Sequence, residues 1–206
     1  KLDKEWVAKW IKNPQSFMFN TWMPHFFNQD NNSSPDMIER NNSEIYAMTE
    51  YLFKEGEKEK NNSSKYIGDD ALGEKLFKSV GCMGCHMIDD NFKNYEHLKS
   101  PYEPLTSKYG YDKNEMTPYE LLKNQGPNLI GLGSKTDAEW IYKWIKNPSD
   151  YHHETRMPDL RLSNEEAKNI TAFLLTLKNK EFDKITAPSY NEDVMKEIAK
   201  GWLIKS

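Results

Sequence analysis

The chain is 206 residues long and carries a net charge of −4, with its 28 basic and 32 acidic residues scattered along it. That length suits one large or two small domains, and the charge pattern offers no surface for nucleic acid. A mean hydropathy of −0.89 is low for a chain that must bury a core unaided, whereas six Trp and an aromatic fraction of 13% place the buried surface in rings. A large apolar cofactor would help to fill such a core. No run of about 18 apolar residues is present, so the stretch is not expected to span a membrane. No secretory signal is visible in it, and two cysteines give no disulfide framework.

The first segment belongs to an internal repeat. At an offset of 134, Lys1–Pro24 reads against Lys135–Pro158 with 13 of 24 positions identical, far beyond chance. The shared residues include Trp6/Trp140, Trp10/Trp144, Pro14/Pro148, Met23/Met157 and Pro24/Pro158. In each copy the Trp pair has the spacing of an amphipathic helix preceded by an Asp suited to the N-cap. Asn-Pro closes it, because proline disfavours helical geometry in the residue before it. A helix from Asn42 to Phe53 follows, after a loop about a dozen residues longer than in the second copy.

Glu55 to Lys65 is charged, rich in Asn and Ser, and without a periodic face, as a linker would be. Asp69 to Val80 reads as a short amphipathic helix running into Gly81-Cys82-Met83-Gly84-Cys85-His86. Between that motif and Gly126-Pro127-Asn128-Leu129 lies a long surface loop with one expected helix, from Pro118 to Lys123. The second repeat copy then leads to Leu162–Leu177, where Ser163 and Glu166 form a capping box and Ala167, Ile170, Leu174 and Leu177 line one face. Asn191 to Ser206 has a further amphipathic pattern built on Val194, Ile198, Trp202 and Leu203. No strand is signalled, and the expected class is all-α.

Two cysteines three apart and an immediate histidine is the spacing that attaches haem c. On one short turn both thiols reach the two vinyl groups of a porphyrin, and His86 lies beneath the ring with a nitrogen for iron. A zinc site would need about four ligands, and no second Cys pair exists to supply them. A dithiol redox pair would sit in a βαβ pattern, which is absent. Met157 carries a soft thioether suited to iron, with gap-filling in the core as its plainer alternative. His152 and His153 are rival ligands in the same loop, and His25 and His97 read as surface residues. The four repeat tryptophans read as core rather than as electron relays.

Residues 69 to 178 resemble class I c-type cytochromes in the order of these landmarks. The resemblance implies a helical domain around a covalently bound haem, with Cys82 and Cys85 as attachment points and His86 and Met157 as axial ligands. It implies that the Pro127 carbonyl orients His86. The departure is the insertion of 39 residues between His86 and Gly126. On this reading residues 1–55 are a partial repeat, the C-terminal half of a second such domain, and 56–68 a linker. Residues 69–180 are the complete domain and 181–206 a tail. Trp202–Ser206 resembles Lys75–Ser79, so the tail reads either as the start of another module or as an ordinary terminal helix. Met23 stands where Met157 does: either it is an axial ligand of a second haem attached outside this sequence, or the repeat has lost its haem.

The expected function is electron transfer by a His/Met-ligated haem c, as a multihaem carrier or a subunit of a respiratory complex, and not an enzyme. The alternatives are a dihaem peroxidase with a displaceable distal ligand, or gas binding through loss of Met157. Expected partners are a quinol-oxidising complex, a terminal oxidase or a periplasmic dehydrogenase. The resemblance places the chain in the periplasm or on the outer face of the energy-transducing membrane.

Overall fold

The computed structural model describes residues 2–18, 21–27, 29, 34–54, 63–88, 126–188, 193 and 195. The described residues are helical, with a single isolated antiparallel bridge between Leu2 and Thr136 and no strand among them. The helices are α1 (Lys4–Lys12), α2 (Pro35–Lys54), α3 (Asp70–Ser79), α4 (Leu132–Lys135), α5 (Ala138–Lys146), α6 (Asn164–Thr176) and α7 (Lys180–Asp183). The helix expected at 118–123 lies outside the described residues, as does the tail apart from residues 193 and 195, both helical.

The chain divides into two compact units: residues 1–61 with 134–136 and 179–206, and residues 62–133 with 137–178. In the first, Asp3 accepts the Trp6 amide at 2.8 Å and starts α1. Asn13 is extended (φ −151°, ψ 90°) and ends α1, after which Pro14–Ser16 form a 3-10 turn. Trp6, Val7, Ile11 and Ile45 make its core with Phe182 of α7. Trp6 stacks on Trp10 with centroids 5.2 Å apart, and Phe17 meets Trp6 edge-on at 5.2 Å.

α2 begins at Pro35, seven residues before the expected start. Ser34 accepts the Ile38 amide through its carbonyl at 3.0 Å, Pro35 sits at the first helical position, where its missing N–H costs nothing, and Asp36 meets the positive end of the helix dipole. The Asn-rich look of 41–42 hid this, because Arg40–Glu44 bridge the same turn at 2.9 Å.

In the second unit α3 and α6 cross. Gly73 of α3 lies against the carbonyl of Asn169 so closely that any Cβ there would collide with backbone. Below the crossing, Phe77 and Phe173 pack with centroids 5.4 Å apart. Asn169 is itself buried, and its Oδ1 accepts the Asp69 amide at 2.8 Å, so the polar group at the crossing is satisfied. Leu132, Ile141, Ile145, Leu162, Ala167, Ile170 and Leu174 complete the core. Near the end of the expected linker, Ser63–Tyr66 form a 3-10 turn whose Tyr66 ring meets Tyr142 of α5 at 4.9 Å.

The capping box at the start of α6 is fully formed: Ser163 Oγ accepts the Glu166 amide at 3.2 Å, and Glu166 accepts the Ser163 amide at 2.8 Å. That backbone N–H first, and then the hydroxyl, hold the Glu166 carboxyl below its ordinary value. A depressed folded value contributes stability that is present above the unfolded value and lost as pH falls through the folded one. Two outcomes are expected in urea unfolding: Gly73→Ala lowers stability by about 1–3 kcal/mol, and Ser163→Ala by about 1 kcal/mol. The deficit of Glu166→Ala should appear at neutral pH and vanish in acid, below the folded value of the carboxyl.

Candidate haem site

α3 ends at Val80, and Gly81 follows in the left-handed region (φ 95°), the usual device for stopping a helix. The chain then turns tightly through Cys82–Gly84. The Cys85 and His86 amides both donate to the Cys82 carbonyl, at 3.1 and 3.0 Å. Cys82, Cys85 and His86 therefore sit on one turn. Neither thiol is paired in a disulfide; Cys82 is half-buried and Cys85 exposed. Burial is the main cause that pushes the Cys82 thiol up, with its own backbone hydrogen bond opposing and Cys85 adding. Activated dithiols are shifted the other way. Among the described residues no three His, Cys, Asp or Glu side chains gather as a metal cluster.

Met87 is buried behind the turn, and its carbonyl accepts the Leu129 amide at 2.8 Å. That bond brings the 126–129 loop back across the 39-residue insertion. As a result His86 Nδ1 lies 2.7 Å from the Pro127 carbonyl. A carbonyl only accepts, so Nδ1 carries the proton and Nε2 keeps its lone pair for a metal. Gly126 lies flat on the imidazole, where a Cβ would strike ring atoms. Burial lowers the His86 basicity, and the Pro127 carbonyl offsets part of that.

α5 and the loop after it place Met157. Asp137 caps α5 by accepting the Trp140 amide at 2.9 Å, and Pro148 opens a 3-10 turn. Trp140 and Trp144 stack at 5.5 Å, with Tyr151 6.1 Å from Trp144. Thr155 accepts the Met157 amide at 3.3 Å, and the half-buried Met157 Sδ accepts the Trp144 indole N–H at 3.0 Å. In sequence Trp144 reads as a core residue, and nothing local marks its N–H as a partner for the Met157 sulfur. The loop leaves through Arg161, whose φ of 54° is left-handed, beside an Asp159 carboxylate that accepts the Arg161 amide at 2.8 Å. His152 and His153 are exposed, and His152 Nδ1 accepts the Glu154 amide at 3.3 Å. His25 is half-buried with its carbonyl bonded to Gln29, and His97 lies outside the described residues.

The cytochrome c family model matches residues 71–178. The chain belongs to the cytochrome c family. Neither a curated protein nor a solved structure matches it. As a cytochrome c it carries covalently bound haem c and serves haem-based electron transfer. Cys82 and Cys85 on one turn, an imidazole with Nε2 unprotonated and a glycine cradle beneath that imidazole fit this group. None of the described helices is long and apolar enough to cross a membrane.

Met23 belongs to the first unit. It is half-buried, and Thr21 accepts its amide at 3.2 Å, the same turn that Thr155 makes for Met157. Two outcomes test the site. With Met157 as an iron ligand, Trp144→Phe should lower the midpoint potential of the cytochrome by about 20–65 mV, the one-electron equivalent of a hydrogen bond worth about 0.5–1.5 kcal/mol; redox titration reads this. The neutral His86 ring should make the haem-free chain lose stability as pH falls below about 6.5, the ordinary histidine value, since the unfolded ring takes up the proton first. Unfolding at a series of pH values checks it, with His86→Gln expected to remove that slope.

Proposed function

We propose that this cytochrome c is a His/Met-ligated electron carrier, with His86 Nε2 and Met157 Sδ as its axial donors. The observation that carries the reading is the pair of hydrogen bonds that orient those donors: His86 Nδ1 to Pro127 O at 2.7 Å, and Trp144 Nε1 to Met157 Sδ at 3.0 Å. When bound, haem c supplies one-electron chemistry at iron, and two protein donors leave substrate no open coordination position.

The chain's own residues do the rest. Cys82 and Cys85 would hold the macrocycle through two thioethers. Pro127 fixes the imidazole tautomer and Gly126 its plane. The Trp144 N–H draws density from the thioether sulfur, which would favour the reduced state of an iron bound there. Leu129, Trp140, Trp144 and Leu160 pack on the core of the same unit.

The finer reading is a multihaem carrier or respiratory-complex subunit in the periplasm or on the outer face of the energy-transducing membrane. Its partners would be a quinol-oxidising complex, a terminal oxidase or a periplasmic dehydrogenase. The first unit supports the multihaem part, because its Met23 turn and aromatic cluster repeat those around Met157. Met23 would then be an axial ligand of a second haem held by another segment.

Replacing Met157 with Ala should remove the near-infrared Met-to-iron band and lower the midpoint by on the order of 100 mV. An unchanged midpoint would sink the ligand assignment. An intact mass of the protein from its source gives the number of haems per polypeptide.

A further inference from the structure

In the second unit, one face of α6 is sealed: Ile170, Phe173 and Leu174 are 1%, 7% and 3% exposed, and Phe173 meets Phe77 of α3. α2 has the same register. Thr49 returns its hydroxyl to the Ile45 carbonyl at 2.8 Å, as Thr171 does to Ala167 at 2.7 Å. From that pair, Met48, Tyr51 and Leu52 stand in the places of Ile170, Phe173 and Leu174. They are 38%, 67% and 57% exposed. Ala47 stands in the place of Asn169, whose backbone meets Gly73 in the sealed unit. The positions that a crossing helix covers in one unit are therefore bare in the other.

A further observation in the first unit concerns a soft atom rather than apolar area. Met23 sits half-buried in a turn shaped like that of Met157, and Phe26, three residues on, is 70% exposed.

We propose that the first unit is an acceptor for the haem-bearing helix of a second cytochrome c module. The occupant is an amphipathic helix of the α3 kind, with a small residue at the crossing, that leads into Cys-x-x-Cys-His. Its apolar side covers Met48, Tyr51 and Leu52, and its haem is presented to Met23. Pairing of two α2 faces from two copies would cover the same apolar area. It would give the Met23 sulfur no role, whereas a haem brings iron to it. The proposal rests on the Met23 reading above and adds the surface that would deliver its haem.

The test titrates the full chain, with its own haem attached, with a haem peptide made from its residues 69–88. One-to-one uptake is expected, with a near-infrared Met-to-iron band that doubles per chain. Met23→Leu, which keeps the volume and removes the sulfur, should bind the peptide without the gain in that band. Leu52→Glu should weaken uptake at least about tenfold, since a carboxylate would be buried in the new contact. Absence of uptake, or the same gain in the Met23→Leu chain, overturns the proposal. So does self-association that Leu52→Glu abolishes in a chain that takes up no peptide, an outcome that assigns the face to a second copy. The band before any peptide is added reports separately on Met157, so failure of that ligand is told apart from failure of the docking surface.

Discussion

The close crossing of α3 over α6 is the constraint on which the haem unit depends. Helices normally pack 8–10 Å apart, and only a residue without a side chain lets them come nearer. Gly73 provides this against the Asn169 carbonyl, and Asn169 answers the Asp69 amide that the approach would otherwise strand. The attachment turn follows directly from the end of α3. α6 closes the loop that carries Met157. One glycine therefore sets the relation between the residue that anchors the cofactor and the segment that bounds it, although Gly73 touches neither.

His86 and Met157 are held by different means. His86 is fixed by a backbone carbonyl and by a glycine pressed on its ring. Met157 is held by a side-chain N–H, that of the Trp144 indole, which is itself stacked on Trp140.

Much of the second unit was legible in the sequence because its signals are local. Asp137, Asn147-Pro148 and the Ser163/Glu166 box each act within one turn, and Cys82, Cys85 and His86 are consecutive enough to be read together. What was hidden depends on distant partners. Gly126 reads as a loop glycine until the Leu129–Met87 bond folds it onto an imidazole forty residues earlier. Trp144 reads as an apolar residue, because no local pattern says that its N–H finds a sulfur. Phe182 had no period to recommend it, yet it plugs the core beside Ile45. The early start of α2 was masked by Asn41 and Asn42, poor helix formers whose cost is offset by Pro35, Asp36 and the Arg40–Glu44 pair.

Arg161 carries a consequence for how the Met157 loop resists loosening. A left-handed backbone costs an ordinary residue roughly 1–2 kcal/mol, which glycine would avoid. Glycine would also widen the unfolded ensemble, at a cost of about 0.4–1 kcal/mol. The Asp159 carboxylate accepts the Arg161 backbone N–H, a bond that glycine would keep, so the difference between the two penalties stands at roughly 1 kcal/mol. In return, the strained residue denies the loop the alternative backbone wells that glycine would open. The segment behind the thioether gains stiffness at that modest cost.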